Sequence, residues 1–190
     1  TGFITGLYVV TTPLLAWLVL RQKISRYTWA CVAIATTGLA LLSLHGWSVG
    51  IGELLVLISA IAFGAHIVAL GHWSNDLDSY AMTVVQLSAC AVLTGFFSLI
   101  QGYHAPVDFN GWLVVVYTAV ICTAVAFLIQ TWSQAHISAT KVAVILTMEV
   151  VFAAIFAVLI GNENIRTQAL IGGLLVLVAM FAIVRPQQEL

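Results

Sequence analysis

An all-α integral membrane protein with seven transmembrane helices is predicted by three features of the sequence. Apolar residues fill 62% of its 190 positions, and charged residues take only 7%, against ~25% in a soluble domain. The apolar residues fall in runs of about twenty, the length that crosses the hydrocarbon core as a helix. Each run is apolar all round rather than along one stripe, as a lipid-embedded helix should be. Mean hydropathy is +1.11. A soluble chain of this size could not cover its surface with so few charges.

The spans fall at residues 2–20, 27–44, 52–71, 79–100, 111–131, 139–160 and 167–184. A β-barrel would need short alternating segments, and none occur. In lipid the backbone must satisfy its own hydrogen bonds, so these runs are expected as helices. The connectors carry the polar punctuation. Residues 21–26 hold Arg21, Lys23 and Arg26, and residues 45–48 form a turn with Trp47. Asp76, Asp78 and Ser79 stand where they can cap the fourth helix. Residues 104–110 lead into the fifth, with Trp112 at its start, and Gly161, Asn162, Glu163 and Asn164 separate the last two. Trp29, Trp47, Trp73, Trp112 and Trp132 all lie near span ends, the depth that indole rings favour.

If the helices alternate in direction, Arg21, Lys23, Arg26, Lys141 and Arg185 share one side and only Arg166 lies on the other. The positive-inside rule then puts the first loop and the C-terminus in the cytoplasm of a cell (inner or plasma) membrane. The first span starts outside, and the chain opens on Thr1-Gly2-Phe3 without a signal-like segment. Further helices upstream are therefore expected. The net charge of −1 and the lack of a basic run argue against a nucleic-acid partner. Cys31, Cys90 and Cys122 are scattered through apolar runs, so neither a disulfide framework nor a metal site is expected. No G-x-S-x-G, H-E-x-x-H or P-loop pattern occurs, and no enzyme activity or cofactor is expected.

Self-comparison at an offset of 141 residues pairs Tyr8-Val9-Val10 with Glu149-Val150-Val151, Ala16 with Ala157, Lys23-Ile24 with Asn164-Ile165, and Gly38-Leu39 with Ala179-Met180. Both stretches read as helix, short polar loop, helix. By the alternation above, the first copy runs inward and the second outward, so the repeats are inverted. That is a transporter architecture, with the substrate site where the repeats meet near the midplane.

At residues 3–17, 52–55, 124–132 and 138–146, and above all at Met148-Glu149-Val150-Val151-Phe152-Ala153-Ala154 followed by Gly161-Asn162-Glu163, the sequence resembles the EamA-domain branch of the drug/metabolite transporter superfamily. The resemblance implies a ten-helix carrier in two five-helix halves. The seven spans would be its helices four to ten, with residues 1–45 ending the first EamA repeat and residues 46–190 forming the second. A seven-helix chain is then expected to lack transport by itself. One departure stands out: Val150 occupies the place of a family proline, which removes an expected kink.

Glu149 is the only carboxylate within a helix core. It lies ~15 Å into the sixth span at ~1.5 Å per residue. A charge at that depth costs at least ~2.5–3.5 kcal/mol, so it should face the bundle interior or a wet cavity. Two roles stay open, a substrate or proton-coupling group and a neutral acid that fixes packing. His66 follows Ala62, Gly64 and Ala65 in the third span; it reads as an interhelical hydrogen bond or as a titrating group. Tyr8, Thr11 and Thr12 occupy the part of the first span that pairs with Glu149. Gln86 in the fourth span, with Tyr117, Thr123 and Gln130 in the fifth, completes the polar set, each as a ligand contact or a packing bond. Trp132 and the pair Phe152/Phe156 could stack a flat solute or simply face lipid. Gly2/Gly6, Ala60/Gly64 and Ala153/Ala157 are expected helix contacts.

These readings converge on a secondary, non-ATP transporter. It would export a small metabolite or drug-like solute by alternating access, coupled to protons, in a lipid bilayer and with a homodimer as one assembly. A non-transporting scaffold or sensor of the same fold is the alternative. An intramembrane enzyme pairing Glu149 with His66 is a third.

Overall fold

The computed structural model describes residues 5–43, 51–74, 77–102, 105–159 and 167–184. Expectations at Gly2, residues 45–48, Asp76, His104, residues 161–164, Arg166 and Arg185 lie outside the described residues, as do the side chains of Glu53 and Ala157. The described residues are helical, in the order α1 (Tyr8–Leu20), α2 (Arg26–Ser43), α3 (Ile51–Trp73), α4 (Ser79–Gln101), α5 (Phe109–Tyr117), a π-helical stretch (Thr118–Val125), α6 (Ala126–Gln134), α7 (Ala139–Leu146), α8 (Met148–Leu159) and α9 (Thr167–Val184). Helices α5 and α6 are joined through the π-helical stretch into one span, and α7 and α8 abut, so seven helical segments match the seven predicted spans. Five are long and apolar enough to cross a membrane: Leu54–Trp73, Ser79–Gln101, Phe109–Gln134, Ala139–Phe156 and Thr167–Val184. Helix α1 is shorter, at 13 residues, and α2 is less apolar because Arg26, Thr28, Thr36 and Thr37 fall within it.

Local chemistry explains several boundaries. Asp78 caps α4 by accepting from the Ala81 N–H at 2.7 Å. Asp108 caps α5 in the same way, from the Gly111 N–H at 3.0 Å. Helix α1 ends where Arg21 turns left-handed at φ 52° and its N–H reaches back to the Ala16 carbonyl. Helix α4 ends at Gly102, φ 88°, a conformation glycine adopts without a Cβ penalty.

The chain divides into two compact units, residues 1–69 with 138–190, and residues 70–137. This division cuts across the repeat boundary expected at 45/46, because α1 and α2 pack against the last three helices. The core of the first unit joins Val9, Val32, Ala35, Leu39, Val144 and Val176, with Ala179 and Ile183 beside them. Helices α2 and α9 cross closely at Gly38, where an added Cβ would lie 2.7 Å from the Gly172 carbonyl oxygen and 2.9 Å from the Val176 nitrogen. The Tyr27 hydroxyl fastens the same pair by donating to the Ala182 carbonyl at 2.7 Å.

The Ala60/Gly64 contact forms: Gly64 has room only for a hydrogen beside Thr11, whose hydroxyl donates to the Ala60 carbonyl at 3.3 Å. Gly6 likewise faces Leu39. Ala153 does not mark a contact. It is exposed, because Val151 and Ala154, three residues apart, turn the other face of α8 to the core. In the second unit α4 packs on α6, while most side chains of α4, α5 and the π-helical stretch remain exposed. Those side chains are apolar, the surface that lipid covers.

Candidate functional site

Two of the spans each carry a single tightened turn whose residue keeps right-handed helical dihedrals, and they are the two that the internal repeat aligns. In the first, Thr5 and Gly6 are helical, Leu7 is a turn at φ −62°, ψ −11°, and α1 resumes at Tyr8. In the second, α7 ends at Thr147, φ −60°, ψ −16°, and α8 begins at Met148. Both turns carry tight i to i−3 bonds: Val10 N–H to Leu7 carbonyl at 2.9 Å, and Val150 N–H to Thr147 carbonyl at 3.1 Å. The offset of 141 would place Leu7 opposite residue 148, so the turns agree to within one residue.

A proline at position 150 proves unnecessary for the second turn. The Thr147 hydroxyl donates to the Val144 carbonyl at 2.6 Å, and the Thr147 N–H bonds the same carbonyl at 3.2 Å. A side chain that bonds its own turn competes with the regular helix. In α1, Pro13 withholds the N–H that would reach the Val9 carbonyl.

Tyr8 follows its turn directly, and Glu149 follows Thr147 with only Met148 between them. Tyr8 is 3% exposed and packs with Ile67, Ala139 and Ala143. Its ring meets Phe63 edge-on at 5.1 Å, and Phe63 in turn stacks on His66 at 6.1 Å. The Tyr8 and Thr12 hydroxyls are buried without a hydrogen-bond partner among the described residues. Glu149 is exposed rather than enclosed, and its carboxylate acts electrostatically on the Tyr8 phenol. Four of the sequence-predicted residues (Tyr8, Thr12, His66 and Glu149) thus belong to the first unit, and two of them, Tyr8 and His66, are joined through Phe63.

A second polar cluster lies within the other unit. The Gln86 amide donates to the Thr131 hydroxyl at 2.9 Å, and that hydroxyl donates to the Phe127 carbonyl at 2.8 Å. The Gln86 Oε1 and the buried Gln130 Nε2 have no partner among the described residues, leaving one acceptor and one donor unused. Tyr117 is not part of it: the residue is 61% exposed at the end of α5. Thr123 instead bonds the Thr118 carbonyl at 2.9 Å across the π-helical turn.

Sequence reasoning missed Phe63 and Thr131 as members of these clusters. Thr131 was findable, since Phe127, Gln130, Thr131 and Gln134 recur at the three- and four-residue spacing of one helix face. Phe63 carried the same signal, standing three residues before His66 and four before Ile67 on one face of α3. Trp132, Phe152 and Phe156 are each more than half exposed; Trp132 stacks on His136 at 4.5 Å.

Comparison with known proteins gives this architecture its context. A protein of Archaeoglobus fulgidus described as an uncharacterized transporter is 31% identical over 183 residues, 96% of this chain and 59% of that protein. A WAT1-related protein of Arabidopsis thaliana is 21% identical over 141 residues, 72% of this chain and 40% of its own length. The chain therefore spans about half the length of the curated relatives it matches. A crystal structure superposes with a TM-score of 0.81 at 15% identity, covering 96% of this chain and 66% of that one, and shares the fold. Residues 50–185 match the EamA-like transporter family, so the chain is a multi-pass membrane protein that belongs to that family.

Proposed function

We propose that this chain works in a secondary transporter that exports a small metabolite or drug-like solute by alternating access, with Glu149 as the coupling group. The observation that carries the reading is the pair of matched turns at Leu7 and Thr147, each with a polar side chain within the next two residues. In inverted-repeat transporters irregular helix backbone at membrane depth lies beside substrate and ion sites, since lipid tolerates it only where it is buried in protein or lines a cavity. Tyr8 and Thr12 then offer the solute two hydroxyls that have no hydrogen-bond partner among the described residues. Glu149, exposed and in electrostatic reach of Tyr8, takes up and releases a proton as the cavity changes sides. The family match at residues 50–185 supports treating residues 46–190 as one five-helix repeat and residues 1–45 as the end of another. No ATP-binding pattern occurs in the sequence, so an ion or solute gradient supplies the energy.

The test is flux through the full-length protein in proteoliposomes under an imposed pH gradient, against a panel of amino acids, amines, nucleosides and sugars. Glu149→Gln should abolish gradient-driven flux while the unfolding temperature in detergent stays unchanged. Unaltered coupled flux in that variant removes the proton role. A protein that moves no solute on the panel, with its fold intact, is better described as a scaffold.

A further inference from the structure

We propose that the groove between the end of α1 and the start of α2 binds the headgroup of an anionic phospholipid. The groove is lined by Leu14, Trp17, Lys23, Ile24 and Trp29 and encloses about 550 Å³. Its edges are pinned. On one side the Arg21 and Gln22 N–H groups both reach the Ala16 carbonyl, the latter at 3.2 Å. On the other the Thr28 N–H donates to the Ser25 hydroxyl at 3.1 Å. The loop backbone between them is therefore fixed, with a left-handed, non-glycine Arg21, and the Arg21, Lys23 and Arg26 side chains stand exposed on it.

Charge, aromatic character and apolar surface meet here in the arrangement of a lipid. Arg21, Lys23 and Arg26 stand within six residues, and the first acidic residue anywhere in the chain is Glu53. Nothing in the first two helices can neutralise them. Trp17 and Trp29 supply the indoles that sit at headgroup depth. From the groove, Leu14, Trp17 and Leu18 continue along α1 as an exposed apolar strip, at 43%, 57% and 68% exposure. A free phosphate would use only the cations and leave that strip unexplained. An anionic lipid uses both, its phosphate on Lys23 and its acyl chain on α1, and basic pockets between membrane helices hold such headgroups elsewhere. A bias of cations toward one side of the membrane requires neither the groove nor the strip. The proposal is independent of the transport reading, needing only that this loop lies at a membrane surface.

Native mass spectrometry of the purified chain in detergent tests it, with phosphatidylglycerol and phosphatidylcholine of identical acyl chains as probes. Phosphatidylglycerol should be retained about fivefold or more over phosphatidylcholine, the preference expected of one well-placed cation. Lys23→Gln should bring the two to parity, Lys23→Arg should keep the preference, and Trp17→Ala should lower phosphatidylglycerol retention. Lys141→Gln, which removes a cation outside the groove, should change nothing. Equal retention of the two lipids by the unaltered protein overturns the proposal. So does an equal effect of Lys141→Gln and Lys23→Gln, which means diffuse charge alone, and so does displacement by millimolar inorganic phosphate, which means a free-anion site. Loss of preference in Lys23→Arg as well means that position 23 acts through structure, and this too rejects the headgroup contact.

Discussion

Tyr8 holds a hydroxyl that its neighbours bury without offering a hydrogen-bond partner among the described residues. An unsatisfied buried polar group costs about 1–3 kcal/mol, so packing alone would favour phenylalanine at this position. Tyr8→Phe should therefore leave stability unchanged or raise it by up to ~1 kcal/mol, while solute flux falls at least tenfold. Denaturant unfolding in micelles, run beside the flux assay, checks both; a marked loss of stability would show that the hydroxyl is structural. Gln86 and Thr131 give the opposite case, since their bond is made within the protein. Thr131→Val should destabilise by about 0.6 kcal/mol and by no more than about 1.7 kcal/mol, the range for polar contacts between membrane helices. Glu149 and Tyr8 were legible in the sequence as polar residues at aligned repeat positions. Their surroundings were not. The exposure of Glu149 and the bridging by Phe63 depend on how α1, α3 and α8 turn about their axes, which an all-apolar span does not encode.

At the scale of helices, the spans were readable because lipid imposes length and apolarity on each of them. Their irregular turns were not, because hydropathy is blind to φ and ψ. The turns at Leu7 and Thr147 and the π-helical stretch Thr118–Val125 lie within uniformly apolar runs. The one sequence cue near the second turn, valine at position 150 in the place of a family proline, said nothing of Thr147, whose hydroxyl bonds the Val144 carbonyl. Close crossings were partly visible as small residues, yet only the structure ranks them. Gly38→Ala would push a methyl group against the Gly172 oxygen and Val176 nitrogen. Both are backbone atoms and cannot rotate away, so the variant should lose about 1–3 kcal/mol. Gly173 is a matched control on the same helix as Gly172: its added Cβ meets nothing nearer than Val151 Cγ1 at 4.0 Å. Gly173→Ala should be neutral or stabilising by thermal unfolding in detergent, since alanine is the better helix former. Equal losses in both variants would mean that the α2–α9 crossing is looser than drawn.

For the molecule as a whole, the inverted repeat makes sense only if α1 and α8 run in opposite directions across the bilayer, and that turns on an even number of crossings between them. Alternation puts residues 21–26, 77–78 and 135–138 on one face and residues 102–110 on the other, and five of six Lys and Arg residues then share the first face. Such a bias marks the cytoplasmic side. Topology can be read from single cysteines once Cys31, Cys90 and Cys122 are replaced by serine. Cysteine at Ser25, Leu77 or Ser138 should react with a membrane-impermeant maleimide only after the cells are permeabilised. Cysteine at Val107, a fully exposed loop position, should react in intact cells. A reversed pattern would overturn the charge-based orientation but keep the repeats inverted. Labelling of Ser25 and Val107 from the same side would be more damaging, because the crossings between them would then be even in number. The matched turns before Tyr8 and Glu149 could no longer be held to face each other from inverted halves, and the carrier mechanism built on them would fall with that symmetry.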